Sequence, residues 1–220
     1  AGALAGALAL RNGRGAGEFE PISWERAYKM LADRLGIPFD REQNERLKGV
    51  SRMESLELIL EGSSLTFSDA EKTALTDRKN ADYLELIASI TPKDVLPGVP
   101  ELFDALKQKK IRIGLASASK NATFVVDRLG MLGQFDYIAD AAKIPRGKPA
   151  PDIFLDVAKA FSLPSSACIG VEDAAAGVDA IKSAGMFAVG IGEISVLAKA
   201  DIVFPSMRAF DIGHVLSSHH

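Results

Sequence analysis

The apolar positions divide this chain into two patterns. From about residue 21, Trp24, Ala27, Tyr28, Leu31 and Leu35 recur at helical spacing behind Pro21 and Ser23, and Gly36 marks the stop. Ser51-Arg52-Met53-Glu54 and Ser68-Asp69-Ala70-Glu71 each have the form of a capping box, in which the serine hydroxyl takes the N3 amide and the glutamate reaches back. The first predicts a helix with Leu56, Ile59 and Leu60 on its apolar face; the second predicts a helix running past Tyr83 towards Ile87. Residues 21–90 thus read as an all-helical unit, and Thr91–Gly98, with Pro92 and Pro97, as a connector.

Beyond the connector the pattern alternates. Helices over 99–109, 120–129, 151–161 and 174–184 are predicted between strands at 111–116, 137–139, 167–171, 187–191 and 201–204. Strands alternating with helices predict an α/β fold, a parallel sheet covered on both faces. Ligands of such a sheet bind at the carboxyl ends of its strands.

Composition acts mainly by exclusion. The 220 residues are 47% apolar and 25% charged with a net charge of -3, as in an ordinary globular protein with no nucleic-acid partner. No apolar run is long enough to span a membrane. The single cysteine, Cys168, forbids an intramolecular disulfide and sits in the apolar run Ala167–Val171, which predicts a buried, inert thiol. Ala1–Leu10 is all Ala, Gly and Leu with no basic region ahead of it, so it does not read as a signal peptide, and a cytoplasmic monomer is expected. Arg11–Phe19 has the look of a vector-derived or frame-shifted stretch, and His219-His220 that of a tag stub.

Three stretches fall at strand ends or in the loop beside them: Gly114-Leu115-Ala116-Ser117-Ala118-Ser119, Gly147-Lys148-Pro149, and Gly170-Val171-Glu172-Asp173. Ser117 ends an apolar strand ahead of a helix expected near Lys120; a hydroxyl and free amides there suit a phosphate, or simply cap the helix. Lys148 stands in a loop stiffened by prolines, so its ammonium is either aimed or an ordinary surface charge. Adjacent carboxylates at the end of a buried strand repel unless a cation sits between them, and oxygen donors suit Mg²⁺; the alternative is an acidic first turn favoured by the helix dipole. In order and at a common sheet edge, the three together describe a phosphoryl-transfer site.

These motifs resemble those of the haloacid dehalogenase superfamily of phosphotransferases: a strand-terminal Ser or Thr, a Lys-Pro loop, then paired acids. Asn44-Glu45-Arg46-Leu47-Lys48-Gly49-Val50-Ser51-Arg52 is similar to the cap segment of its β-phosphoglucomutase subfamily, and Leu115–Asn121 and Lys148–Phe154 to its core. The resemblance covers roughly residues 22–205. It implies a Rossmann-like parallel sheet flanked by helices with an inserted all-helical cap: a core from 1–20 plus 95–220, and a cap from 21–94. It also implies that Ser117, with the amides of Ala118 and Ser119, holds the transferring phosphoryl group, that Lys148 neutralises it, and that Glu172 and Asp173 ligate Mg²⁺. Arg52 would grip the sugar's other phosphate, with Lys48, Gly49, Val50 and Ser55 around the sugar and Lys120 and Asn121 completing the core side.

One part of the family pattern is absent. Its members carry Asp-x-Asp-Gly after the first strand, the first Asp as nucleophile and the second as proton shuttle. Counting back without gaps from Ile37-Pro38-Phe39, those positions fall on Asn12 and Arg14, ahead of Gly15, and residues 1–17 contain no Asp or Glu. Glu18 and Glu20 lie too close to the first helix to substitute. Either a front end has been replaced or the chain is a natural catalytically dead relative; Ala7-Leu8-Ala9-Leu10 could fill the first strand sterically. Three functions remain in play: a sugar-phosphate mutase, a phosphatase on a small phosphorylated metabolite, and a non-catalytic sugar-phosphate binder. On any of them, this sequence is expected to show negligible mutase turnover.

Overall fold

The structure is a computed structural model that describes residues 3–6, 23–47 and 50–219; Asn12, Arg14, Lys48 and Gly49 lie outside them. The first half is helical: α1 (Ser23–Leu35), α2 (Arg41–Arg46), α3 (Arg52–Leu60) and α4 (Asp69–Ile87). The amphipathic stripe of α1 buries Tyr28, Leu31 and Ala32 with Leu56 and Ile59 of α3. Both capping boxes form, at Ser51 with Glu54 and at Ser68 with Glu71, so α3 and α4 begin where the sequence places them. The short helix α2, absent from the sequence reading, starts at another reciprocal cap: the Gln43 amide donates to Asp40 and the Asp40 amide to Gln43.

The second half alternates α5 (Val99–Gln108), β2 (Arg112–Leu115), α6 (Ala122–Arg128), β3 (Tyr137–Ile138), α7 (Asp152–Ala160), β4 (Cys168–Glu172), α8 (Ala175–Ser183), β5 (Phe187–Ile191), β6 (Ile202–Phe204) and α9 (Ile212–Ser218). With β1 (Ala3–Gly6), these strands form one six-stranded parallel sheet in the order β3-β2-β1-β4-β5-β6. Side chains alternate across it. Cys168 and Ala188 pack with Phe154, Val157 and Ile181 on one face, while Ile169, Val171 and Val189 pack with Leu102, Phe103, Leu106 and Val215 on the other. Cys168 is buried, its Sγ lies 3.5 Å from the Pro164 carbonyl, and burial pushes its pKa up, as an inert thiol requires.

The first described strand is β1, Ala3–Gly6; Ala7–Leu10, which could also fill such a strand, lies outside the described residues. Strand β1 lies between β2 and β4, with Gly6 in register with Leu115 and Val171. An Ala/Gly-rich stretch carries no side-chain pattern to set its own register, so the neighbouring strands set it. No helix among the described residues is long and apolar enough to cross a membrane.

Strand glycines let the helices press onto the sheet. A Cβ on Gly170 would stand 2.4 Å from Cγ1 of Ile181 on α8. Gly170→Ala is therefore expected to destabilise the fold by about 1–3 kcal/mol, as overpacking does. Urea unfolding measures it; an unchanged midpoint would mean that α8 yields freely.

Candidate active site

The two strands flanking β1 end in the groups expected to act on phosphate. Lys148, on the loop ahead of α7, is buried; its Nζ donates to the Ala116 carbonyl at 3.1 Å and forms an ion pair with Glu172, which is also buried. Ala116 follows β2 and Glu172 ends β4, so the ammonium ties these strands together across the end of β1. The cation that adjacent carboxylates at this strand end call for is thus supplied in part by the protein. Glu172 also accepts the Asp173 amide at 3.2 Å, while the Asp173 side chain is exposed. The Lys148 ammonium stands 5.0 Å from the Phe154 ring centroid, a further stabilising contact for a buried cation.

Glu172 fits because residue 177 is glycine. A Cβ on Gly177 would lie 2.2 Å from the Glu172 carboxyl carbon, so the first turn of α8 can pass the acid only without a side chain there.

Ser117 does not cap a helix. The helix begins at Ala122, later than expected, and the intervening loop makes successive turns: the Ser119 amide donates to Ser117 Oγ at 3.2 Å and the Asn121 amide to Ser119 Oγ at 3.2 Å. Ser117 and Ala118 are half-buried; Ser119 and Lys120 are exposed. The Asp140 carboxyl is held below its usual range by the Ala142 amide, by Lys143 and, at longer reach, by Lys120.

The helical half meets this edge at two places. Gly147 lies against the N-terminus of α3, where a Cβ would be 3.1 Å from Glu54 Oε2 and 3.7 Å from Ser51 Cβ. Arg52 and Asn121, from opposite halves, both donate to Asn80 Oδ1 of α4, each at 2.8 Å. Ser55 is buried beside Tyr28; its hydroxyl works against the rise that burial imposes on the phenol pKa, yet makes no hydrogen bond of good geometry among the described residues. Val50 is half-buried just ahead of α3. Asn44, which opens the cap segment, is buried and donates to the buried Glu25 at 2.5 Å.

Two residues of α4 join the site without having been anticipated: Asn80 and Lys79. The Lys79 ammonium is buried 3.8 Å from the Tyr28 ring centroid and 5.2 Å from that of Tyr83. Burial, and then the nearby Arg52 charge, lower its pKa to about 7, while burial pushes the Tyr83 phenol up to about 12. The sequence holds one faint signal, since Lys79 and Tyr83 are four apart on a helix and so share a face.

A metal ion would find oxygen donors in Glu172 and Asp173, with Glu172 already balanced by Lys148. No group of three or more acidic, His or Cys side chains suited to a metal occurs among the described residues. Mg²⁺ is commonly held by one or two carboxylates together with phosphate oxygens and water, so this donor set fits a Mg²⁺ that arrives with a phosphate.

A parallel sheet in this order, with Lys148 and paired acids at its carboxyl edge beneath a helical layer, defines a Rossmann-like α/β fold of the haloacid dehalogenase type. The chain matches the haloacid dehalogenase-like hydrolase family over residues 20–185, and it belongs to that family. It is 49% identical over 179 residues to the β-phosphoglucomutase of Bacillus subtilis strain 168, covering 80% of this chain and 79% of that protein. The crystal structure of a β-phosphoglucomutase from Clostridium difficile superposes with a TM-score of 0.90 at 40% identity, covering 99% of this chain and 96% of that one. A phosphorylated carbohydrates phosphatase of Thermotoga maritima is 29% identical over 170 residues, covering 76% of each chain.

Gly177→Ala is expected to push Glu172 off Lys148 and lower stability by about 2 kcal/mol or more, because it leaves a buried charge poorly paired. Thermal unfolding tests this, and a Tm equal to the parent's would show that the pair re-forms. Lys79 supplies a pH test. The unfolded chain keeps this proton up to the ordinary 10.5 but the folded chain only up to about 7, so the unfolded state holds more protons between those values. Stability should therefore rise with pH across that window, the burial penalty being full below it and gone above it. The Tm of Lys79→Met relative to the parent should shift in the variant's favour from about pH 9.5 to about pH 6; a pH-independent difference would contradict the assignment.

Proposed function

We propose that this chain is a phosphotransferase scaffold of the β-phosphoglucomutase type, built to bind β-glucose 1-phosphate and glucose 6-phosphate, and that as its sequence stands it interconverts them negligibly. The observation that carries the reading is the placing of cationic groups at two separate points. Lys148 lies across the end of β1, and Arg52 stands with Asn121 on the shared acceptor Asn80. A phosphatase needs to hold one phosphate; a mutase working through a bisphosphate must hold two. The 49% identity to the Bacillus subtilis enzyme supports the same choice. The likeness to the Thermotoga phosphatase keeps hydrolysis of a sugar phosphate as the second reading.

In this assignment Ser117, with the amides of Ala118 and Ser119, seats the transferring phosphoryl group and Lys148 neutralises it. Arg52 takes the other phosphate, Lys48, Gly49, Val50 and Ser55 surround the sugar, and Lys120 and Asn121 complete the core side of the pocket. Glu172 and Asp173 would hold Mg²⁺, which supplies further neutralisation of the phosphoryl oxygens. Residues 21–94 act as a cap over a core of 1–20 plus 95–220, excluding water that would otherwise compete with a sugar hydroxyl. What the reaction lacks is a carboxylate nucleophile and a carboxyl proton shuttle: residues 1–17 contain no Asp or Glu, the ungapped count that puts the family's two Asp positions at Asn12 and Arg14 meets an amide and a guanidinium, and the end of β1 at Gly6 would put those positions earlier, where no carboxylate stands either. An amide cannot replace the nucleophile, and a guanidinium neither shuttles protons at neutral pH nor tolerates a nearby metal. We place the chain in the cytoplasm, where a small, charged sugar phosphate is retained, and expect it to act as a monomer.

Two measurements test the proposal. A coupled assay with β-glucose 1-phosphate and catalytic bisphosphate should show turnover lower than that of the Bacillus subtilis enzyme by about a thousandfold or more; comparable turnover would refute the inactivity. Calorimetry with glucose 6-phosphate should show binding that tightens when Mg²⁺ is added, and no binding in either condition would refute the ligand.

A further inference from the structure

Asn80 lies in Arg78-Lys79-Asn80, a polar stretch of α4 that carries no recognisable motif. Its side-chain oxygen has two acceptor sites, and they serve donors from different parts of the chain: the Arg52 guanidinium of α3 and the Asn121 amide at the start of α6, each at 2.8 Å. Arg52 also stands close enough to the Lys79 ammonium to lower its pKa, so like-charge repulsion acts on the guanidinium from the same helix. A neutral carbonyl beside it supplies the opposing attraction without a formal charge that would repel an incoming phosphate. The loop at Gly147 passes so near the start of α3 that an added Cβ there would stand 3.1 Å from Glu54 Oε2, close to the helix end from which Arg52 projects.

We propose that Asn80 is a positioning residue: its carbonyl oxygen sets Arg52 and Asn121 as one preassembled pair, joining the helical half to the sheet half before any ligand arrives. The consequence for binding rests on the hexose-phosphate reading above; the coupling between the two donors does not. A preassembled donor pair spares the ligand the entropy of ordering a long side chain. Removing Asn80 should therefore weaken the grip on the phosphate held by Arg52 while leaving the Lys148 end intact.

The test has a ligand-free arm and a binding arm, both on the full chain. In thermal unfolding, the Tm loss of Arg52→Met with Asn121→Ala should be smaller than the sum of the single losses, because losing either donor loosens the Asn80 side chain that holds the other. That non-additivity should vanish in an Asn80→Ala background and persist in Asn80→Asp, which keeps an acceptor oxygen. Additive losses with Asn80 present, or non-additivity that survives Asn80→Ala, would overturn the proposal. In calorimetry, Asn80→Ala should raise the Kd for glucose 6-phosphate by about tenfold and leave that for inorganic phosphate within about twofold. Equal weakening of both ligands would overturn the positioning role. If the parent chain binds neither ligand, the hexose-phosphate reading fails, and the thermal cycle alone then decides for or against Asn80.

Discussion

The buried ion pair between Lys148 and Glu172 is the constraint around which the rest of the site is arranged. An ammonium taken out of water is costly unless a carboxylate and further acceptors meet it, and removing one partner leaves the other stranded. Here the partners come from the ends of β2 and β4, with β1 between them. Several otherwise separate sequence features follow from that single need. Glu172 must terminate a strand whose residues are buried throughout, so it points at the lysine instead of at water. Residue 177 must lack a Cβ, because the carboxyl occupies the space where one would sit. The lysine must rise from a loop held close to the sheet edge, and Phe154 of α7 packs near its charge.

The helical half repeats this logic with less compensation. Lys79 is buried against two tyrosine rings and near Arg52, and its pKa falls to about 7. Burial and the neighbouring Arg52 charge both work against the Lys79 ammonium, a cost that stability alone does not call for. Under the proposed function, an anion arriving from solution would relieve both cations. Coulomb attraction in such a partly dehydrated space is stronger than at a surface. Under the proposed function, this charge arrangement would favour a doubly charged ligand over a neutral sugar.

How much of this could be read beforehand depended on which physical signal a residue leaves in the sequence. Capping boxes at Ser51 and Ser68 are local and reciprocal, so they fixed the starts of α3 and α4. Buried parallel strands such as Cys168–Glu172 announce themselves as apolar runs between helices. The short helix α2 consists of Arg-Glu-Gln-Asn-Glu-Arg and has no apolar stripe; only its Asp40–Gln43 cap marks it. Strand β1 is Ala-Leu-Ala-Gly, whose composition offers no preference for strand and no face to bury, so its place came from pairing with β2 and β4. Ser117, Lys148, Glu172 and Asp173 were legible as a set because motif order reflects strand order. Lys79 and Asn80 were not, because their partners Tyr28, Arg52 and Asn121 come together only through tertiary packing.

The missing carboxylates and the intact site are compatible for a physical reason. The first strand is held by backbone pairing on both edges, Ala3–Gly6 with Arg112–Leu115 and with Cys168–Val171, and backbone pairing is indifferent to the side chains that follow. The charge of Lys148 is met by Glu172 and the Ala116 carbonyl, with no contribution required from an N-terminal acid. Folding of the sheet edge and neutralisation of its buried lysine thus need neither of the two aspartates of the family pattern. Only the bond-forming step needs them, since it alone requires an atom able to attack phosphorus and a group able to move a proton. Under the proposed function, binding and turnover would therefore be separable in this architecture: a change confined to the residues after β1 would remove the second and leave the first to Ser117, Lys148, Arg52 and Asn121.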